Sequence, residues 1–209
     1  VKYFIADKLH DGVDGTTYYD LTNGAVVDKN RPSLHLRGFT PSPATALGLV
    51  TSLSGGQSIV DGTPVADVAV TDGAGRAFEL QLIAGVDTAD AEWTAADRHR
   101  QPKPFPSSAS ASQSHDYLAV LPLPSGTWVT SIDVTYLPPV GQLHVDGASI
   151  VQDTFGSSVS IPISDGGALT TVESGDTKVY RNNQVAPRAF LQASATIVPD
   201  DTAAFANVQ

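Results

Sequence analysis

The chain has 209 residues, 41% of them apolar and 16% charged, with a formal net charge of −10. That length buries a substantial core, while the acidic balance argues against nucleic acid and anionic lipid heads, which need clustered Lys and Arg. With no Cys there is no disulfide, thiol nucleophile or thiolate metal site, and no apolar run reaches the roughly 18 residues of a membrane span.

Residues 1–6 form a compact run of aromatic and β-branched side chains that predicts a strand. Asp11-Gly12 and Asp14-Gly15 break it. Asp11 and Asp14 raise the question of a calcium loop, but the later acidic positions of such a loop are missing, and an ordinary turn is the alternative. Tyr18 and Tyr19 lead through Asn23-Gly24 to Ala25-Val26-Val27, which reads as a hairpin whose turn supplies two positive φ angles. In residues 31–39, Leu34 and Leu36 alternate with His35 and Arg37, the period-two pattern of a half-buried strand. Pro41-Ser42-Pro43 is expected to interrupt any ladder.

Residues 46–53 and 64–71 predict two further strands. Asp72-Gly73-Ala74-Gly75 turns the chain into residues 76–85, where Phe78, Leu80 and Leu82 face one way. A long polar stretch from about 94 to 114 has little periodicity, and loops of that length usually carry function or mobility. Strands return over 117–123, 128–136, 142–151 and 158–163. Trp128 shares its parity with Ile132, Val134 and Tyr136, which predicts a core position. Near the end, residues 191–198 predict a strand, and Pro199-Asp200-Asp201 opens a short C-terminal helix. Hairpins at regular spacing with turn signals between them argue for a mainly β chain built on an antiparallel β-sandwich.

No nucleophile elbow, zinc-protease motif, phosphate loop or dinucleotide fingerprint occurs, so no catalytic residue, cofactor or metal is expected. His10, His35, His99, His115 and His144 are scattered without ligand spacing. The densest carboxylate group is Asp87, Asp90 and Glu92, next to Trp93. These residues read either as a ligand-binding loop, with the indole as a stacking face for a sugar ring, or as a solvated rim with Trp93 packed beneath it. Arg188 offers a five-donor fork to an anionic or carbonyl partner, or ties strands together at a seam.

Tyr180-Arg181-Asn182, then Pro187-Arg188-Ala189-Phe190-Leu191 and Val198-Pro199-Asp200-Asp201, resemble the C-terminal extracytoplasmic segment of YfhO-like bacterial multi-span membrane proteins. Those proteins are relatives of lipid-linked-sugar glycosyltransferases. Val1-Lys2-Tyr3-Phe4-Ile5-Ala6 resembles the strand that opens the same segment. The resemblance implies a small β platform made of residues 1–40 and 165–209, carrying a jelly-roll-like sandwich insert at 41–164. The insert is similar in strand pattern, and in its Glu92-Trp93 loop, to jelly-roll carbohydrate-binding modules. In this family the catalytic acids lie in the membrane-embedded part, so the chain is expected to be non-catalytic. Its expected role is extracytoplasmic and accessory, binding or positioning a glycan or glycolipid beside the membrane-embedded part of a parent protein. Without a Met anywhere, it reads as an excised domain or a processed product. The alternative is a structural or interaction module, such as a cell-surface or fibre-forming sandwich.

Overall fold

The computed structural model describes residues 2–9, 11–92, 99–105 and 115–185. In chain order the strands are β1 (Tyr3–Ala6), β2 (Gly12–Asp14), β3 (Thr17–Tyr19), β4 (Ala25–Asp28), β5 (Ser33–Leu36), β6 (Ser42–Ser54), β7 (Pro64–Asp72) and β8 (Ala77–Ile83). They continue with β9 (Pro104–Phe105), β10 (Asp116–Tyr136), β11 (Gln142–Gln152), β12 (Ser157–Ile161), β13 (Leu169–Ser174) and β14 (Lys178–Asn182). Among the described residues the one helical element is a 3-10 turn at Asp153–Phe155. The chain is mainly β, an antiparallel β-sandwich. The strand expected at 191–198 and the short C-terminal helix lie outside the described residues.

The sandwich grows from one long sheet in the order β12-β11-β6-β10-β7-β8, with β4 beside β11 and both β5 and β9 beside β10. Strand β10 serves two parts of that sheet. Tyr117 to Pro122 pair with β6, and after two register shifts Ile132 to Thr135 lie between β5 and β7. The apolar positions of all these strands then meet in one cluster that includes Leu34, Leu36, Leu47, Leu49, Leu53, Val68, Val70, Ile132, Val134, Leu143 and Ile150. Each buried Leu, Ile or Val contributes about 1.5–3 kcal/mol, which makes this cluster the main source of stability.

Strand β6 is buried from Ala46 to Leu53 on both faces, as its near-continuous apolar sequence requires. Its inner face joins the sandwich core. Its outer face is covered by Tyr19, Leu21 and Phe105, which pack with Val50 and Leu118 as a second cluster. Gly48 makes the cover possible, because a Cβ there would overlap the Tyr19 hydroxyl. The covering segment is a β2–β3 hairpin that turns at Gly15, whose φ is +58°.

The hairpin expected at Asn23-Gly24 does not form. Strand β3 pairs with β2, β4 pairs with β11, and neither turn residue has a positive φ. Docking of Tyr19 over Gly48 and of β4 along β11 outweighs the local turn preference. Pro43 also departs from expectation, standing inside β6 opposite Trp128. It is tolerated because β11 joins β6 only from Ala46 onward, so the prolyl nitrogen faces no neighbouring strand. Trp128 is not in the core and is 54% exposed. Between Val129 and Ser131 the register against β7 shifts, so the inward set changes from odd to even residues. Val129 therefore points inward with Ile132 and Val134, and Trp128 points out.

The two ends of the described chain meet in a three-stranded sheet, β1-β14-β13, with Tyr3 opposite Arg181 and Thr170 opposite Arg181 on the other side. Residues 25–28 and 33–36 do not join it, and add to the large sheet instead.

Candidate functional site

Beyond the apolar cover, the end of β6 and its neighbours are polar. Ser52 lies opposite His144 in the β6–β11 ladder, and Asp116 begins β10 one residue before the Tyr117–Thr51 pair. Asp146 sits at a second bulge, where the β11 register shifts between Val145 and Gly147. The segment after β8 closes the other side. Leu53 N–H donates to Ala89 C=O at 2.8 Å, and Ala91 N–H donates to Leu53 C=O at 2.9 Å. These elements enclose a cavity of about 370 Å³ whose wall includes Ser52, Asp90, Glu92, Asp116, His144 and Asp146.

Its electrostatics are dominated by carboxyl groups. Burial, reinforced by the neighbouring Asp116 carboxylate, pushes the Asp146 carboxyl from its ordinary 3.8 up to about 7. Near neutrality Asp146 therefore exists in both forms and offers an O–H donor beside acceptors. The His144 ring lies 3.2 Å from the Gln142 amide nitrogen, which donates to Nε2 when the ring carries its proton on Nδ1.

Asp90 is the most constrained group. Its side chain is 3% exposed, and Oδ2 lies 2.5 Å from Nδ1 of His99, itself 1% exposed. On the far side of the ring, Nε2 lies 2.7 Å from the Ile59 carbonyl. Both ring nitrogens thus face oxygen atoms, which fixes the orientation of the ring. The other carboxylate oxygen, Asp90 Oδ1, is buried with no hydrogen-bond partner among the described residues. A buried acceptor left this way costs about 1–3 kcal/mol until a donor reaches it.

Of the residues singled out in the sequence, Asp90 and Glu92 line the cavity. Asp87 is half-buried in the turn after β8, where its Oδ2 accepts Ile83 N–H at 2.9 Å, and burial raises its carboxyl above the ordinary value. It does not line the cavity. Trp93 and Arg188 lie outside the described residues. Asp11 and Asp14 each face a lysine: Lys103 Nζ lies 2.6 Å from both Asp14 oxygens, and Lys178 contacts Asp11. Among the described residues, no group of three or more His, Asp or Glu is placed to hold a metal ion. The sequence reading did not single out Asp116 or Asp146. A signal for Asp146 does exist, since a lone Gly following it within a strand pattern marks a bulge.

No protein-family model, curated protein or solved structure matches the chain.

Proposed function

We propose that this is a non-catalytic glycan-binding domain that receives a neutral, hydroxyl-rich ligand in the Asp90–Asp146 cavity. The observation that carries this reading is a cavity lined by Asp90, Glu92, Asp116 and Asp146, beside which Asp90 Oδ1 is buried without a hydrogen-bond partner among the described residues. Four carboxyl groups disfavour phosphates and other anions, whereas sugar hydroxyls donate to carboxylates and accept from a protonated Asp146. The resemblance at the chain ends adds the setting, an extracytoplasmic accessory to a YfhO-like membrane-embedded transferase that presents the glycan or glycolipid. Hydrophobic spans in the reading frame just before Val1 are expected on that reading.

The test is a glycan array at neutral pH followed by calorimetry on wild type, Asp116→Asn and Glu92→Gln. Each variant is expected to fold normally and bind about ten- to a hundredfold more weakly, as loss of a charged hydrogen bond requires. Absence of any glycan binding by the wild type sinks the proposal. Hydrolysis of a bound glycan would instead assign Asp116 and Asp146 to acid–base work.

A structural or interaction module is the second reading. It is favoured by β1 and β13, each of which has a strand neighbour on one side only among the described residues, an arrangement open to strand addition. Light scattering separates the two readings, since a concentration-independent monomer disfavours assembly.

A further inference from the structure

Far along the chain from the acidic cavity, a lysine is buried between two aspartates. Lys178, the first residue of β14, has a side chain that is 1% exposed, against 4% for Asp11 and 5% for Asp20. Its Nζ contacts Asp11 Oδ1 and Thr22 Oγ1, and lies 2.8 Å from Asp20 Oδ1. Two phenols complete the arrangement. The Tyr18 hydroxyl donates to Asp11 Oδ2, and the Tyr180 hydroxyl donates to Asp20 Oδ2. Thr22 N–H also donates to Asp20 Oδ1, at 3.1 Å.

The two carboxyl groups are not equivalent. Burial works to raise Asp20, but the bonds from Lys178, Tyr180 and Thr22 prevail and hold it below the ordinary carboxylate range. Asp20 is thus the ionised partner, and its Oδ1, 2.8 Å from Nζ, is placed to accept a proton from it. Asp11 has only the lysine and the Tyr18 phenol, which stays protonated because burial and the hydrogen bond to Asp11 raise it. One ammonium against two carboxylates leaves a net negative charge in a buried site, and burial penalises every charged form present. Transfer of one proton from Nζ to Asp11 converts that ion pair into a neutral amine touching a neutral carboxylic acid. A desolvated lysine amine is a nucleophile, and reactants held in contact react as if at very high concentration.

We propose that Lys178 and Asp11 condense spontaneously into an intramolecular isopeptide bond, with Asp20 relaying the proton. The Nζ lone pair attacks Cγ of Asp11, and the negative charge that develops on Oδ2 is met by the Tyr18 O–H. Asp20 takes a proton from Nζ and passes it to the departing Oδ1 hydroxyl. The C–O bond breaks, one water leaves and the Nζ–Cγ amide remains, with no change of oxidation state. The water has an exit, because Tyr18, Asp20 and Lys178 border a cavity of about 340 Å³. In the product, Asp20 keeps its Tyr180 and Thr22 donors. The bond would join residues 167 positions apart and fasten the terminal sheet covalently to the segment that covers β6.

The test is the mass of the purified full chain. The wild type is expected to be lighter than its sequence mass by one water, with tryptic cleavage blocked at Lys178 and a branched peptide joining Asp11 to Lys178. Asp-Gly pairs such as Asp14-Gly15 lose water by succinimide closure as well, so the branched peptide decides and not the mass alone. Lys178→Arg, which keeps the charge, is expected to show no branched peptide, and Asp20→Asn is expected to form it at least tenfold more slowly. A wild-type chain at full sequence mass overturns the proposal, as does a branch through Asp20, or a water loss that persists unchanged in Lys178→Arg. The wild-type measurement needs no variant, so a folding failure in either variant leaves the test decisive.

Discussion

Replacing Asp146 with Asn tests the electrostatics of the acidic cavity directly. The folded chain raises this carboxyl from 3.8 to about 7. At about 1.4 kcal/mol per pH unit, that rise makes ionised Asp146 worth up to about 4 kcal/mol less stability than protonated Asp146. Because the folded-state value lies above the unfolded one, the native state holds more protons than the unfolded chain between about pH 4 and pH 7. Wild-type stability should therefore fall as pH rises through that window and level off above it. The Asn side chain mimics the neutral acid and cannot ionise, so this contribution to the slope disappears.

Urea unfolding of both proteins at steps from about pH 4 to pH 8 measures the effect, and the difference between them cancels contributions common to both. The variant is expected to gain on the wild type progressively with pH, by a few kcal/mol at the alkaline end. Parallel curves would refute the assignment of a raised carboxyl to Asp146, and with it the O–H donor assigned to the cavity.

Four further substitutions probe the fold. Trp128→Ala should change stability by no more than about 0.5 kcal/mol, while Ile132→Ala should cost about 2–5 kcal/mol, because the bulge before Ser131 separates their faces. Thermal melts that rank the two the other way would remove the bulge from the explanation. Gly48→Ala should cost about 1–3 kcal/mol, because its Cβ displaces Tyr19 from the outer face of β6. His99→Ala should cost about 3–5 kcal/mol by leaving the Asp90 carboxylate buried and unpaired, read as a lowered unfolding midpoint in denaturant.

Strands whose inner and outer residues alternate without interruption are legible in the sequence. Leu34 and Leu36 in β5, Val68 and Val70 in β7, and Phe78, Leu80 and Leu82 in β8 all take the faces that their parity dictates. The doubly buried β6 announces itself by a continuous apolar run. These features are local, depending only on residues a few positions apart. Asn23-Gly24 is equally local as a signal, yet it yields to tertiary packing, because the energy of seating Tyr19 comes from Val50, Phe105 and Leu118, all distant in sequence.

The polar centres were hidden for two different physical reasons. Asp146 and Trp128 stand at or beside single-residue bulges, and one inserted residue reverses every later assignment of inside and outside. Such a shift leaves the composition of a strand untouched, so a periodicity count across 128–136 averages two registers and places Trp128 wrongly. Lys178 is hidden, as is the pairing of Asp90 with His99, because what defines each is a partner, and no spacing rule links Lys178 to Asp11 and Asp20. In the segment around 178–191 the sequence points to Arg188, although the buried basic side chain that the described fold organises is Lys178. A lysine at the head of an apolar Val179-Tyr180 strand, with parity matching a buried tyrosine, was the available clue. Its burial demands carboxylates, and the Asp-rich segment 11–20 is where the β1–β14 pairing brings them within reach.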